Sequence, residues 1–200
     1  MRYTFIMQKK RLFIAIPLSG SVARSVKRIV AEIEEKFKDL PDTSIRFVPQ
    51  ENWHITLSFL GNQDDVMLSV IADAMKVAVR DCEPPEIIFE KISYFPERGD
   101  SVKMIWLSTD RATSAVLGTI RDTLEDEFAA RGVPFQSEMR AFSGHITLAK
   151  FTGEATVASL PPIERSLQFN FPAASIDLME SELKRSSAEY TMLQSFPFKE

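Results

Sequence analysis

The sequence predicts an α+β fold built on antiparallel sheets. Strand-like and helix-like runs mix along the chain without strict strand–helix–strand alternation. Two neighbouring strand-like runs are also joined by a turn rich in Pro, Gly and charged residues, the mark of a hairpin. The length, 200 residues, suits one globular domain or a domain of two small lobes, and a composition 44% hydrophobic and 26% charged is that of an ordinary folded chain.

The elements follow from local patterning. Residues 1–10 read as an extension, and residues 11–200 as one domain. Residues 11–16 form a first strand, and 21–37 a helix with Val22, Val26, Ile29, Val30 and Ile33 at helical spacing. A loop containing Pro41 leads to a short strand over 45–48, then to another over 53–60 that ends at Gly61-Asn62. A second helix is expected over 64–80, the hairpin over 86–95 and 102–109, and a third helix over 113–131, stopped by Gly132 and Pro134. Strands over 144–151, 165–171, 174–183 and 189–196 complete the chain, with a short helical or irregular piece ending at Pro161-Pro162.

Composition excludes several function classes. The net charge is −4, so coating of long nucleic acid by counterion release is disfavoured and any nucleic-acid contact should be local. The 7 glycines never cluster, which leaves no phosphate-cradling loop and no dinucleotide fingerprint. Cys82 is the single cysteine, so no intrachain disulfide can form and a reducing cytoplasm is the natural compartment. No apolar stretch approaches a membrane span. Lys9-Lys10-Arg11 before an apolar run resembles a signal peptide, but a buried first strand explains the same residues better.

The chemistry sits on the 2 histidines of the chain. Both open the same tetrapeptide, His54-Ile55-Thr56-Leu57 and His145-Ile146-Thr147-Leu148. On a strand, residues two apart share a face. His54, Thr56 and Ser58 are therefore expected on a polar face, with Trp53, Ile55, Leu57 and Phe59 packed behind; His145 and Thr147 repeat the arrangement. Two such strands across a cleft would present two imidazoles and two hydroxyls. Imidazoles can serve as general base and general acid in one in-line displacement, and hydroxyls suit the non-bridging oxygens of a phosphate. Phosphodiester cleavage needs that set. A metal site would want further ligands, and neither motif contains Asp, Glu or Cys; no metal or other cofactor is expected.

The two motifs, in this order, resemble those of the 2H phosphoesterase superfamily, and specifically of the RNA 2′,3′-cyclic phosphodiesterases also known as bacterial and archaeal 2′-5′ RNA ligases. Arg11-Leu12-Phe13-Ile14-Ala15-Ile16-Pro17, the run from Val48 to Gly61, Tyr94-Phe95-Pro96, Ile105-Trp106-Leu107, Arg140-Ala141-Phe142 and Leu178-Met179-Glu180-Ser181 carry the rest of the likeness, over about residues 11–198. The resemblance implies two pseudo-symmetric lobes of antiparallel sheet, with helices packed outside, around a central cleft. It implies metal-independent hydrolysis of a terminal RNA 2′,3′-cyclic phosphate to a 2′-phosphomonoester, with His54 as proton donor, His145 as proton acceptor, and Thr56 and Thr147 as phosphate ligands. Sequence alone does not break the symmetry between the histidines.

The expected partners are RNA 3′ ends or nucleotides bearing a 2′,3′-cyclic phosphate, the expected state a monomer. Reversible 2′-5′ ligation, action on a small cyclic nucleotide or a 2′-5′ oligonucleotide, and non-catalytic RNA-end binding stay open. Tyr94, Phe95 and Phe142 are candidates to stack a base, and Arg46 and Arg140 to attract the backbone. Two departures from the family pattern stand out. Gly144 replaces the usual Pro before the second motif and is expected to loosen that turn. Lys150 stands where Arg is frequent, and strict alternation places it on the face opposite His145, away from a phosphate.

Overall fold

The computed structural model describes residues 9–40, 45–137, 140–184 and 188–199; the expected extension lies outside them, apart from its last two residues. Among the described residues the order is β1 (Lys10–Pro17), α1 (Gly20–Phe37), β2 (Ile45–Phe47), β3 (His54–Gln63), α2 (Met67–Val79), β4 (Glu86–Phe95), β5 (Met104–Thr109), α3 (Arg111–Arg131), β6 (His145–Phe151), β7 (Arg165–Pro172), β8 (Ser175–Leu183) and β9 (Ala188–Pro197). Element types agree with the periodicity. The main shift is α2, which begins at Met67 because Asp64 and Asp65 are spent on a tight turn, their carbonyls accepting from Met67 and Leu68 at 2.9 and 3.2 Å.

The strands form two sheets, ordered β3-β1-β8-β9 and β2-β6-β5-β4-β7, with every neighbouring pair antiparallel. The two histidine strands thus fall in different sheets, one in each lobe, and β3 packs against β6. The expected hairpin is β4–β5.

Helices cover the faces turned from the cleft. The α1 stripe of Val22, Val26, Ile29, Val30, Ile33 and Phe37 is buried, and Phe37 meets Phe47 and Phe151 of the five-stranded sheet at 6.3 and 6.1 Å. Since α1 follows a strand of the other sheet, it ties the lobes together. Helix α2 packs on β8 and β9, and α3 on α2 and β3. Helix α3 has strong stops: Asp110 accepts from the Thr113 N–H at 2.7 Å, and Gly132 closes the other end at φ 68. Among the described residues, no helix is long and apolar enough to cross a membrane.

Candidate active site

Each cleft histidine is fixed by the backbone just before it. Pro49 starts a single helical turn over Gln50–Asn52, and the Trp53 indole, itself buried, donates to the Val48 carbonyl at 2.8 Å. That turn aims the Asn52 carbonyl at His54 Nδ1, 2.8 Å away. In the second motif the Ser143 carbonyl meets His145 Nδ1 at the same 2.8 Å. A carbonyl only accepts, so each Nδ1 carries hydrogen, and on the neutral His54 ring Nε2 is left as the acceptor. His54 Nε2 accepts from the Thr56 hydroxyl at 3.0 Å, the hydroxyl two residues on that strand geometry supplies.

Beyond the threonines, alternation breaks, and it breaks identically in both copies. The β1–β3 register steps from Ala15↔Thr56 to Ile14↔Ser58, leaving Leu57 over. The β5–β6 register steps from Trp106↔Thr147 to Ile105↔Ala149, leaving Leu148 over. Each step is a bulge, which inserts one residue and shifts everything after it to the other face. Leu57 and Ser58 are both buried, as are Leu148 and Ala149. Phe59, expected in the core, is instead 41% exposed and lines the cleft. Ser58, expected on the polar face, is 4% exposed. Lys150, expected on the far face, lines the cleft with His145 and Thr147.

The cleft has a volume of about 440 Å³ and brings together His54, Thr56, His145, Thr147 and Lys150. Among the described residues its cations are Arg11, Arg121, Arg140 and Lys150, against the carboxylate of Glu125. Positive charge is thus gathered at one place in a chain of net charge −4. His54 titrates far below the usual imidazole range, at about 4. Burial is the largest cause; the hydrogen bond to Asn52 opposes it, and the charges of His145 and Lys150 add to it.

Aromatic rings brace both imidazoles. Phe13 and Tyr190 stand 5.0 and 5.3 Å from His54. Trp106 stacks on His145 with ring centroids 3.6 Å apart, and Phe95 stacks on Trp106 at 3.4 Å. The Trp106 indole N–H is buried without a hydrogen-bond partner among the described residues. Period-2 counting on β1 could have found Phe13, two residues from Arg11. Trp106 could not be found without the cross-strand register that sets it opposite Thr147.

Other residues singled out from sequence divide. Phe142 and Arg140 line the cleft. Phe95 lies in it as the outer ring of the Trp106 stack. Tyr94 is 4% exposed and its hydroxyl donates to the Pro161 carbonyl at 2.7 Å, so it is held in the core and cannot stack a base. Arg46 pairs with Lys150 across β2 and β6 at the sheet edge.

Gly144 tightens the approach to His145 rather than loosening it. Its N–H donates to Ser114 Oγ at 3.1 Å, and its carbonyl accepts from the Thr109 N–H at 2.8 Å and the Thr109 hydroxyl at 3.1 Å. A Cβ at Gly144 would stand 2.5 Å from Thr109 Oγ1. The missing side chain is what lets the backbone come so close.

Comparison with known proteins places this architecture. A family model described as LigT like Phosphoesterase matches residues 16–106. The RNA 2′,3′-cyclic phosphodiesterase of Methanothermobacter thermautotrophicus is 28% identical over 178 residues, 89% of this chain and 90% of that protein. The protein of the same name from Bacillus subtilis is 27% identical over 176 residues, covering 87% and 89%. The crystal structure of a Thermus thermophilus protein shares the fold, with a TM-score of 0.74 at 24% identity over 94% of this chain and 97% of that one.

Proposed function

We propose that this chain, which is similar to LigT-like phosphoesterases over residues 16–106 and to an RNA 2′,3′-cyclic phosphodiesterase over 89% of its length, hydrolyses terminal 2′,3′-cyclic phosphates of RNA to 2′-phosphomonoesters, with His54 and His145 as the proton-transfer pair and no metal. One observation carries the reading: two imidazoles, each anchored through Nδ1 to a carbonyl two residues back, line one cleft together with Thr56 and Thr147.

The chemistry balances on these groups. Water attacks phosphorus and gives its proton to His145 Nε2; the P–O3′ bond breaks as the 3′ oxygen takes a proton from His54 Nε2. Thr56 and Thr147 donate to the non-bridging oxygens, and Lys150 opposes the charge that builds on them. Aromatic packing around each ring limits its rotation, so alignment is set before substrate arrives. With a ribose 5′-hydroxyl in place of water, the same displacement forms a 2′-5′ linkage.

The roles of the two rings can be exchanged in principle, and one observation favours the exchange. Burial keeps His54 neutral in the unliganded protein, so its Nε2 is bare, as a base requires. As donor, His54 needs the negative phosphate between the rings to draw a proton onto it. Incubation with 2′,3′-cyclic AMP and with RNA ending in a cyclic phosphate tests the proposal, with the product followed by ³¹P NMR. A 2′-phosphomonoester is expected; a 3′-phosphomonoester would contradict the direction of opening. Tight binding without product would favour an end-binding module, and preferred turnover of 2′-5′ oligonucleotides would move the substrate.

A further inference from the structure

We propose that Trp106 is a positioning residue that holds His145 as the proton acceptor: its indole face, backed by the Phe95 ring, steadies the imidazole and stabilises the imidazolium it becomes. This inference rests on the function proposed above and deepens it, by giving a role in the reaction to a residue outside both repeated motifs.

The stack is a product of strand register. Ser93 and Thr147 stand opposite Trp106 on its two neighbouring strands. Phe95 lies two residues after Ser93 and His145 two before Thr147, so each shares a sheet face with Trp106 and sits diagonal to it. The three rings therefore form one row across β4, β5 and β6. Phe95 and Trp106 are 14° from parallel with centroids 3.4 Å apart, and Trp106 and His145 are 18° from parallel at 3.6 Å. Covered on both faces, the indole is 7% exposed and has no face left on which to stack a base. Its N–H is buried without a hydrogen-bond partner among the described residues, so packing is what fixes the ring.

The two histidines differ in this respect. Neither ring beside His54 is parallel to it: Phe13 is tilted by 38° and Tyr190 stands edge-on at 83°. A flat indole face carries the negative lobe of the ring quadrupole, which attracts a cation. When water gives its proton to His145 Nε2, the water oxygen keeps the O–H electron pair as it bonds to phosphorus, and the imidazole becomes that cation. The stack is thus stronger after the transfer than before, which favours the transition state over the resting enzyme. Burial opposes charge at His54. The Nδ1 bond of His145 is exposed, so less desolvation offsets the gain there.

Other groups that bear or can bear charge face the same cleft. His54, Arg11 and Tyr190 reach it from the four-stranded sheet, Lys150 from β6 itself, Arg121 and Glu125 from α3, and Arg140 from the segment after that helix. All are kept when the indole alone is changed, so a difference between variants reports the ring.

The test follows the 2 histidines of the chain by their Cε1–H NMR signals as pH is varied, in wild type, Trp106→Phe and Trp106→Leu, with His54→Ala to assign them. Phenylalanine keeps a weaker π face, and leucine only apolar cover. The His145 midpoint should fall by about one pH unit in Trp106→Leu and by less in Trp106→Phe, with His54 unmoved. On 2′,3′-cyclic AMP, kcat should fall about tenfold in Trp106→Leu at unchanged KM. A His145 midpoint that stays or rises would overturn the proposal, and so would an equal shift of both histidines. If Trp106→Leu does not fold, Trp106→Phe decides by the same signs. A midpoint that falls while kcat holds would keep the stack and contradict His145 as the base. Absence of wild-type turnover would sink the parent function, while the midpoints still decide whether the indole stabilises the imidazolium.

Discussion

Phe59 and Lys150 occupy matching places in the two halves of the cleft. Each stands five residues after a histidine on its own strand, and each reaches the cleft face because a bulge has turned the two residues before it inward. The internal repeat is therefore longer than the tetrapeptide that reveals it. One copy ends in a ring suited to a base, the other in a cation suited to a phosphate.

Replacing Lys150 separates charge from bulk. Lys150→Ala should lower kcat/KM on 2′,3′-cyclic AMP by about 10²-fold, as loss of a single charge-stabilising group does elsewhere, whereas Lys150→Arg should keep most of it. Steady-state kinetics on the two variants checks this. Equal rates in wild type and Lys150→Ala would mean that the cation does not reach the reacting phosphate.

The pH profile should be unusually broad on the acid side. Below a pKa of about 4, His54 takes a proton and the pair no longer holds a bare Nε2 on that ring. The acid limb of kcat/KM should therefore fall near pH 4 rather than near the ordinary ~6.5 of an exposed imidazole. Removing the positive charge of Lys150 should move that limb upward, since its charge holds the imidazolium down. An acid limb at the ordinary position would show that burial does not control His54 during turnover.

A pH profile gives the same bell whichever ring is the acid, so the assignment needs a leaving group that requires no proton. On an activated aryl phosphodiester, the variant lacking the donor should recover about 10²-fold or more relative to its defect on the cyclic phosphate. Recovery of His54→Ala alone supports His54 as donor. Recovery of His145→Ala alone reverses the two roles.

Gly144→Ala should destabilise the protein by about 1–3 kcal/mol, because the new Cβ meets Thr109. The cost should shrink in a Thr109→Ala background, which removes the atoms it meets at the price of the hydroxyl's bond to the Gly144 carbonyl. Denaturant unfolding of the four proteins measures the coupling. Additive losses would place the strain elsewhere.

Much of this site is legible without coordinates. Period-2 spacing puts His54 with Thr56 and His145 with Thr147, and the duplication points to one shared reacting group. What fails is everything after each threonine. A bulge at Leu57-Ser58 or Leu148-Ala149 has no residue signature, since both pairs sit as well in a regular strand, so strict alternation puts Phe59 and Lys150 on the wrong faces. Trp106 and Tyr190 reach the histidines only through strand pairing, which depends on sequence-distant partners. Gly144 reads as slack in a turn until the packing of Thr109 against it is known.

Most depends on two rings from separate sheets serving one phosphorus atom. Turnover of RNA ending in a 2′,3′-cyclic phosphate should be measured in EDTA for wild type, His54→Ala and His145→Ala, with circular dichroism confirming the fold. Wild type should turn over undiminished by the chelator, and each variant should lose about 10²- to 10⁴-fold in kcat/KM. Activity that survives both substitutions, or that vanishes with EDTA and returns with Zn²⁺, would contradict the mechanism.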